Sequence, residues 1–229
     1  RAEYKRGKSL AGYSAKVGYK LSANQKIAVL VLNDHLHRNY GALKGAHPNS
    51  HEILFIESKR MLHTRKWHLQ RLFFFISARD HFLADLRKEG FTVHFISSAD
   101  TATGIKSFRK SNPGIEIVAA EPSSHKQYEE FKKLKITLLA NDFFLTPRPL
   151  FAQWAASQKS LVMENFYRAQ RVRLDILMEG SHPLGGQWNY DAENRLPPPK
   201  GEHKWPAYLA HKRDQIDESA LAYIAKEKI

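Results

Sequence analysis

The chain has no cysteine, so disulfides, thiolate metal sites and a cysteine nucleophile are excluded within its 229 residues. No apolar run approaches the roughly 18 residues of a membrane span, and the amino end lacks the apolar core of a signal peptide. The expectation is a cytoplasmic protein with no membrane partner. Negative charge is scarce: 23 Asp and Glu stand against 36 Lys and Arg, a formal net charge of +13. Such an excess raises affinity for polyanions, which makes DNA a candidate partner, although a solvated basic surface has the same composition. Neither Gly-x-Gly-x-x-Gly nor a Walker-type glycine-lysine loop is present, which leaves dinucleotide and nucleoside triphosphate chemistry without motif support. Nor is there a Gly-x-Ser-x-Gly elbow to mark a Ser-His-Asp triad. No catalytic residue is assigned in this chain.

What is present is enough for one main core, with 42% hydrophobic side chains. Residues 1–25 read as a basic arm, with Arg1, Lys5, Arg6, Lys8, Lys16 and Lys20 against Glu3 alone. Residues 26–178 read as an α/β domain. Its first segment, Ile27-Ala28-Val29-Leu30-Val31-Leu32, is the continuous apolar run of a parallel strand buried on both faces. Similar runs recur at Ile53–Ile56, Thr92–Ile96, Ile115–Ala120 and Ile136–Ala140, mostly with helical patterns between them. The alternation predicts a doubly wound, parallel sheet of about five strands flanked by helices. In the long helical segment Trp67–Lys88, Leu69, Leu72, Phe73, Ile76, Leu83 and Leu86 make one apolar stripe, while Phe74, Phe75 and Phe82 lie off it. A second apolar side means either deep packing or a seat for another domain. Ser124 to Gln127 has capping-box spacing, and Thr146-Pro147 has the spacing of an N-cap followed by a first-turn proline. After Thr146 no further strand is expected, and Pro147–Lys159 and Leu161–Met178 read as helices. Residues 179–204 form a loop and linker ending in the stiff Leu196-Pro197-Pro198-Pro199-Lys200. Residues 205–229 read as the start of a charged helix that needs a partner for Leu221, Tyr223 and Ile224. That helix breaks off without a stop signal and the first residue is Arg, which suggests a piece of a longer protein.

In open α/β sheets ligands lie beyond the carboxyl ends of the strands. This rule directs attention to Asn33-Asp34-His35, to Glu57-Ser58 and to Glu121-Pro122-Ser123-Ser124. The amides and hydroxyls of Ser123 and Ser124, at a helix start, suit a phosphate or a ring carbonyl; an empty cap accounts for them as well. His35 and His37 beside Asp34 lack a third placed ligand, so no metal is expected. Further along, Arg168 and Arg171 fall on one helical face, near Tyr167, with Arg173 turned away. They suit a salt-bridged surface, a phosphate or a docked domain. The loop Trp188-Asn189-Tyr190-Asp191-Ala192-Glu193-Asn194-Arg195 is too polar for a core and too patterned for a linker, and reads as a hydrogen-bonded interdomain clasp.

Gly185-Gly186-Gln187-Trp188-Asn189-Tyr190-Asp191-Ala192-Glu193-Asn194-Arg195, together with Leu32-Asn33-Asp34-His35-Leu36 and Met163-Glu164-Asn165-Phe166-Tyr167-Arg168, resembles the deoxyribodipyrimidine photolyase-related proteins, the bacterial iron-sulfur branch of photolyases and cryptochromes. The resemblance runs from about Lys26 to Pro199. It implies a Rossmann-like, antenna-type amino-terminal domain. In a complete family member a helical domain follows, carrying FAD, an iron-sulfur cluster and the repair or signalling chemistry. No cofactor is assigned to the present chain. By the same resemblance Asp34, Glu57, Glu121 and Pro122 are chromophore-binding candidates. Tyr167, Arg168, Arg171, Trp188, Asn189, Asp191, Glu193, Asn194 and Arg195 are candidates for interdomain or phosphate contacts. Relatives hold a lumazine antenna, but here Arg60 and Met61 replace a glutamate pair, Thr64 replaces a tyrosine and Ser123 a glycine, and these departures argue against lumazine. A stand-alone module binding nucleic acid or a small molecule is the alternative.

Overall fold

Every residue of Ile27–Val31 (β1) is buried, as a strand covered on both faces requires. In the computed structural model, which describes residues 26–191, 197, 200, 201, 204, 206, 207, 209 and 211–227, β1 is joined by His51–Ser58 (β2), Val93–Ser98 (β3), Glu116–Ala120 (β4) and Thr137–Leu139 (β5). All four pairings are parallel, in the order β3-β2-β1-β4-β5. The five runs expected to be strands are these five. The sheet is doubly wound: strand order reverses between β1 and β4, which places a crevice at their carboxyl ends.

Side-chain alternation divides the core into two layers. Ile27, Val29 and Val31, with Ile53 and Phe55, face Leu83 and Leu86 of Leu69–Lys88 (α2) and a 3-10 turn at Gly41–Leu43. Ala28, Leu30 and Leu54 face Ile105 and Phe108 of Thr101–Ser111 (α3) and Phe131 of His125–Lys133 (α4). A Cβ on Gly104 of α3 would lie 2.5 Å from Ile56 Cγ2, so the close seat of α3 on β2 depends on that glycine. Ser124 caps α4 by accepting the Gln127 N–H, as its spacing suggests.

The main stripe of α2 is shared between the sheet and the last helix, whereas of the three off-stripe rings Phe82 packs on the sheet-side core, Phe75 is half-buried and Phe74 is exposed. Leu72 and Ile76, with Leu62 of the short helix Lys59–His63 (α1), pack against Ala220 and Ile224 of Gln215–Glu227 (α7). Trp67, Phe73 and Tyr223 flank this cluster. Asp214 and Asp217 cap α7 reciprocally: Asp214 Oδ1 accepts from the Asp217 N–H at 3.1 Å and Asp217 Oδ2 from the Asp214 N–H at 3.2 Å. The α7 segment thus finds its partner in its own chain.

The described residues fall into two compact units, one drawn from Arg1–Leu145 and Lys212–Ile229 and the other from Thr146–His211. The second holds Arg148–Ala156 (α5), Met163–Leu174 (α6) and a short antiparallel ladder of Met178–Glu179 (β6) and His182–Pro183 (β7). That ladder corrects the expectation of no strand after Thr146: Gly180, at φ +60, supplies the reversal between its two arms. The start of α5 differs as well. Pro147 is extended and Thr146 caps nothing; its hydroxyl donates to Gln170 of α6 instead, and Pro149 is the proline of the first turn. The basic arm of residues 1–25, most of the Leu196–Lys200 linker, and Glu193, Asn194 and Arg195 lie outside the described residues.

Candidate functional site

Three loops meet at the carboxyl edge of the sheet, beyond β1, β4 and β5. Asn141 ties them together. Its amide donates to the Glu121 carbonyl at 2.7 Å and lies 3.5 Å from His35 Nε2, while its carbonyl accepts from the Phe143 N–H at 2.9 Å. His35 is buried and stacks on Phe143 with ring centroids 4.7 Å apart and planes 15° from parallel. Burial pushes the His35 pKa below its ordinary value, against the opposing pull of Asp34. Asp142 accepts from the Gly41 N–H at 2.5 Å, and Gly41 at φ +62 has no room for a side chain, since a Cβ would stand 2.7 Å from Phe143 Cε2. Asp34 is exposed and accepts from the Ser123 hydroxyl at 3.1 Å. The structure therefore brings Asp34 to the Glu121-Pro122-Ser123 loop, with Pro122 buried and Glu121 half-buried. His37 turns elsewhere, edge-on to Tyr40.

Glu57, the remaining chromophore candidate, has none of its partners in those loops. It is 4% exposed and receives three donors: Arg79 of α2 on Oε2, and on Oε1 the hydroxyls of Ser97 at 3.0 Å and Tyr223 at 2.6 Å. Arg79 is buried too, with Asp80 chelating its guanidinium from the outside at 2.7 and 3.1 Å and the Phe95 ring 4.9 Å beneath it. Burial works against the charge of Arg79, yet the bonds to Asp80 and Glu57 hold its pKa above the ordinary value. Tyr223 is likewise raised, by burial first and by its bond to Glu57 second. This buried network joins β2, β3, α2 and α7.

The second unit is organised around one arginine. Arg171 of α6 is 6% exposed and donates to the carbonyls of Ile176, Leu177 and Trp188 and to the Tyr167 hydroxyl. Its guanidinium and that of Arg168 both lie 5.4 Å from the Trp188 ring, as expected for a shared helical face. Glu164 binds Arg168 at 2.9 Å and accepts from Asn189, which draws the loop onto α6. Arg173 points away to Gln170. Between α6 and the loop lies a cavity of about 340 Å³ lined by Tyr167, Arg171, Trp188, Asn189, Tyr190 and Asp191 among others.

Several features of these arrays escape sequence reading: Arg79, Asn141, Phe143 and the bond from Tyr223 to Glu57. Asn141 and Phe143 follow the fifth strand, where the rule for strand ends applies equally. Arg79 is one of four cations on α2, with Arg71, Arg87 and Lys88, and nothing in the sequence sets it apart as the buried one. Tyr223 signals its need for a partner, but not that the partner is Glu57, 166 residues away. His81, Asp214 and Asp217 bring three ligand-type atoms within 4.8 Å of one another, but the two carboxylates already cap α7, and Asp217 also accepts from the Ser77 hydroxyl at 2.5 Å.

Comparison with known proteins gives one consistent result. The chain is 34% identical over 181 residues to a (6-4) photolyase of Agrobacterium fabrum, an alignment covering 74% of this chain and 36% of that protein. It thus spans about a third of the length of this curated relative. The family model for deoxyribodipyrimidine photo-lyase-related protein matches residues 29–229, which include the sheet apart from Ile27 and Ala28, the Arg171 array and α7. On these matches, the chain belongs to the deoxyribodipyrimidine photo-lyase-related protein family.

Proposed function

We propose that this chain is the amino-terminal α/β part of a photolyase- or cryptochrome-type flavoprotein, and that it acts as a scaffold and not as the catalyst. On this reading the light-dependent chemistry, repair of (6-4) lesions in DNA or a signalling variant of it, is carried by a flavin-binding part of the complete protein. The observation that carries the scaffold role is the engagement of Glu57. A carboxylate offers roughly four acceptor sites, and three donors from the protein itself occupy it. With Glu57 4% exposed and at most one acceptor site left over, a lumazine-type ring at this strand end would compete with Arg79, Ser97 and Tyr223 for the carboxylate. Such residues do not fit that chromophore, and no step is assigned through it. His35 and Phe143, stacked at the β1/β4 edge, support the same conclusion.

The second unit supports a docking role. Among its described residues only Arg171 and Pro183 are buried, while Leu161, Met163, Leu177 and Phe151 are exposed. A surface with so little core of its own gains most from being covered. The motif residues Tyr167, Arg168, Trp188, Asn189 and Asp191 shape that surface around the buried Arg171, and in this role they are interdomain contacts. Two measurements test the proposal. Thermal melting with flavins, pterins and lumazines is expected to stay unchanged, and illumination of DNA carrying (6-4) lesions with this chain alone is expected to leave them intact. A ligand-dependent rise in melting temperature, or lesion reversal, would overturn the scaffold role.

A further inference from the structure

Positive charge is not evenly spread over the first unit. From Lys59 to Phe75 there are five cations, Lys59, Arg60, Arg65, Lys66 and Arg71, and no acid. Lys59 and Arg60 lie within ion-pair reach of Glu227, at 3.6 Å, and Asp100, at 3.9 Å. Arg65, Lys66 and Arg71 are exposed and have no carboxylate within that reach among the described residues. Two of these three are stacked on rings. Arg65 lies 4.4 Å from the Trp67 centroid, and Arg71 lies 5.5 Å from Trp67 and 5.4 Å from Phe75. Phe75 in turn neighbours Phe74 at 6.1 Å, and Phe74 is 66% exposed. Leu69, on the same turn, is exposed as well.

We infer that this surface, at the α1–α2 junction, binds single-stranded nucleic acid. Uncompensated guanidinium and ammonium groups match phosphates, while an exposed ring beside them offers a stacking face that suits any base. An acidic protein surface would use the cations but would leave Phe74 without a role, and duplex DNA has its bases already stacked. The Trp67 ring between Arg65 and Arg71 is held in place, since its indole N–H donates to the Leu62 carbonyl at 3.0 Å. The cations are therefore displayed from a rigid platform. This inference rests on charge and geometry, not on the scaffold reading of the preceding section.

The test is fluorescence anisotropy of labelled oligo-dT and oligo-rU with the whole chain across a salt series. Each phosphate neutralised contributes about −0.7 to the slope of log affinity against log salt for a single strand. Three free cations give about −2, and the triple variant Arg65→Gln, Lys66→Gln, Arg71→Gln is expected to remove about that much slope. The Phe74→Ala variant is expected to weaken binding about tenfold with the slope unchanged. A control of equal charge, Lys106→Gln, Lys126→Gln, Lys133→Gln on α3 and α4, is expected to change little. All seven residues are exposed, and unchanged circular dichroism checks that the fold survives. Preference for dT or for rU assigns the strand to DNA or RNA, and either supports the inference. Equal loss from the control triple, equal binding of a labelled polyglutamate, or binding of duplex DNA that Phe74→Ala leaves untouched would overturn it.

Discussion

Replacing Glu57 by glutamine is the sharpest perturbation of the first unit. The side chain keeps its shape, but an acceptor-only group becomes a carboxamide with one acceptor oxygen and an N–H₂ donor. All three partners of Glu57 are donors. The amide oxygen can keep Arg79, and the hydroxyls of Ser97 and Tyr223 must turn to accept. Hydrogen bonds to a charged group contribute about 1.5–3 kcal/mol and neutral ones about 0.5–1.5, so three downgraded bonds give a loss of about 3 kcal/mol. Asp80 remains as counter-ion to Arg79, which keeps the effect at or below the lower end of the ~3–5 kcal/mol for breaking a buried pair outright. At about 2–4 °C per kcal/mol, the melting temperature should fall by about 6–12 °C. Tyr223→Phe alone should cost about 1.5 kcal/mol, and about 0.5 once Glu57 is glutamine, a coupling of about 1 kcal/mol. Hydrogen exchange of α7 should speed up in both variants. The pH dependence carries the same signature. With the folded Tyr223 pKa raised, stability is fully present below the ordinary tyrosine value of about 10 and declines above it, as the unfolded chain loses a proton that the folded chain keeps. Tyr223→Phe should remove that part of the alkaline decline. A double-mutant cycle with zero coupling, or unchanged α7 exchange, would refute the network.

Three other outcomes follow from the geometry. Gly41→Ala combines the ~1–2 kcal/mol penalty of a left-handed backbone with a Cβ 2.7 Å from Phe143, and should destabilise the first unit by about 2–4 kcal/mol in a urea titration. Because burial lowers the His35 pKa, stability from this group is present above about pH 6.5 and is lost as pH falls through the folded value; His35→Phe should flatten the acid limb of a melting-temperature profile relative to the unaltered protein. Arg171→Lys leaves at least one of the Ile176, Leu177 and Trp188 carbonyls without its donor and should destabilise the second unit by about 1–3 kcal/mol, read as faster proteolytic cleavage between Gly185 and Asp191.

The sheet was legible because it is written in local terms. A strand buried on both faces needs an unbroken apolar run, and Ile27–Val31 has one with no competing helical period. The two-sided apolar character of α2 was legible too, and so was the need of the last helix for a partner. That the last helix lies on Leu72 and Ile76 of the main stripe, leaving Phe74 exposed, was not, since this packing, like the contact of Tyr223 with Glu57, is a matter of three-dimensional closure. The same limit applies at the sheet edge. Strand-end position drew attention equally to Asp34, Glu57 and Glu121, yet only packing distinguishes an exposed carboxylate facing Ser123 from one locked against a buried arginine. In the second unit the shared face of Arg168 and Arg171 followed from helical spacing, whereas the burial of Arg171 depends on the Ile176 and Leu177 carbonyls of the following turn and the Trp188 carbonyl of the loop beyond it. Positive φ at Asp175 and Leu177 shapes that turn, and Leu177 is not a residue type that signals it.

The scaffold role is tested most directly by the near-ultraviolet and visible absorption of the protein as purified, with any chromophore released by denaturation and identified. The account predicts a colourless protein, because Glu57 is engaged by Arg79, Ser97 and Tyr223 and the β1/β4 edge is filled by His35 and Phe143. A stoichiometric lumazine or flavin in the released fraction would contradict it and make this chain a working antenna domain.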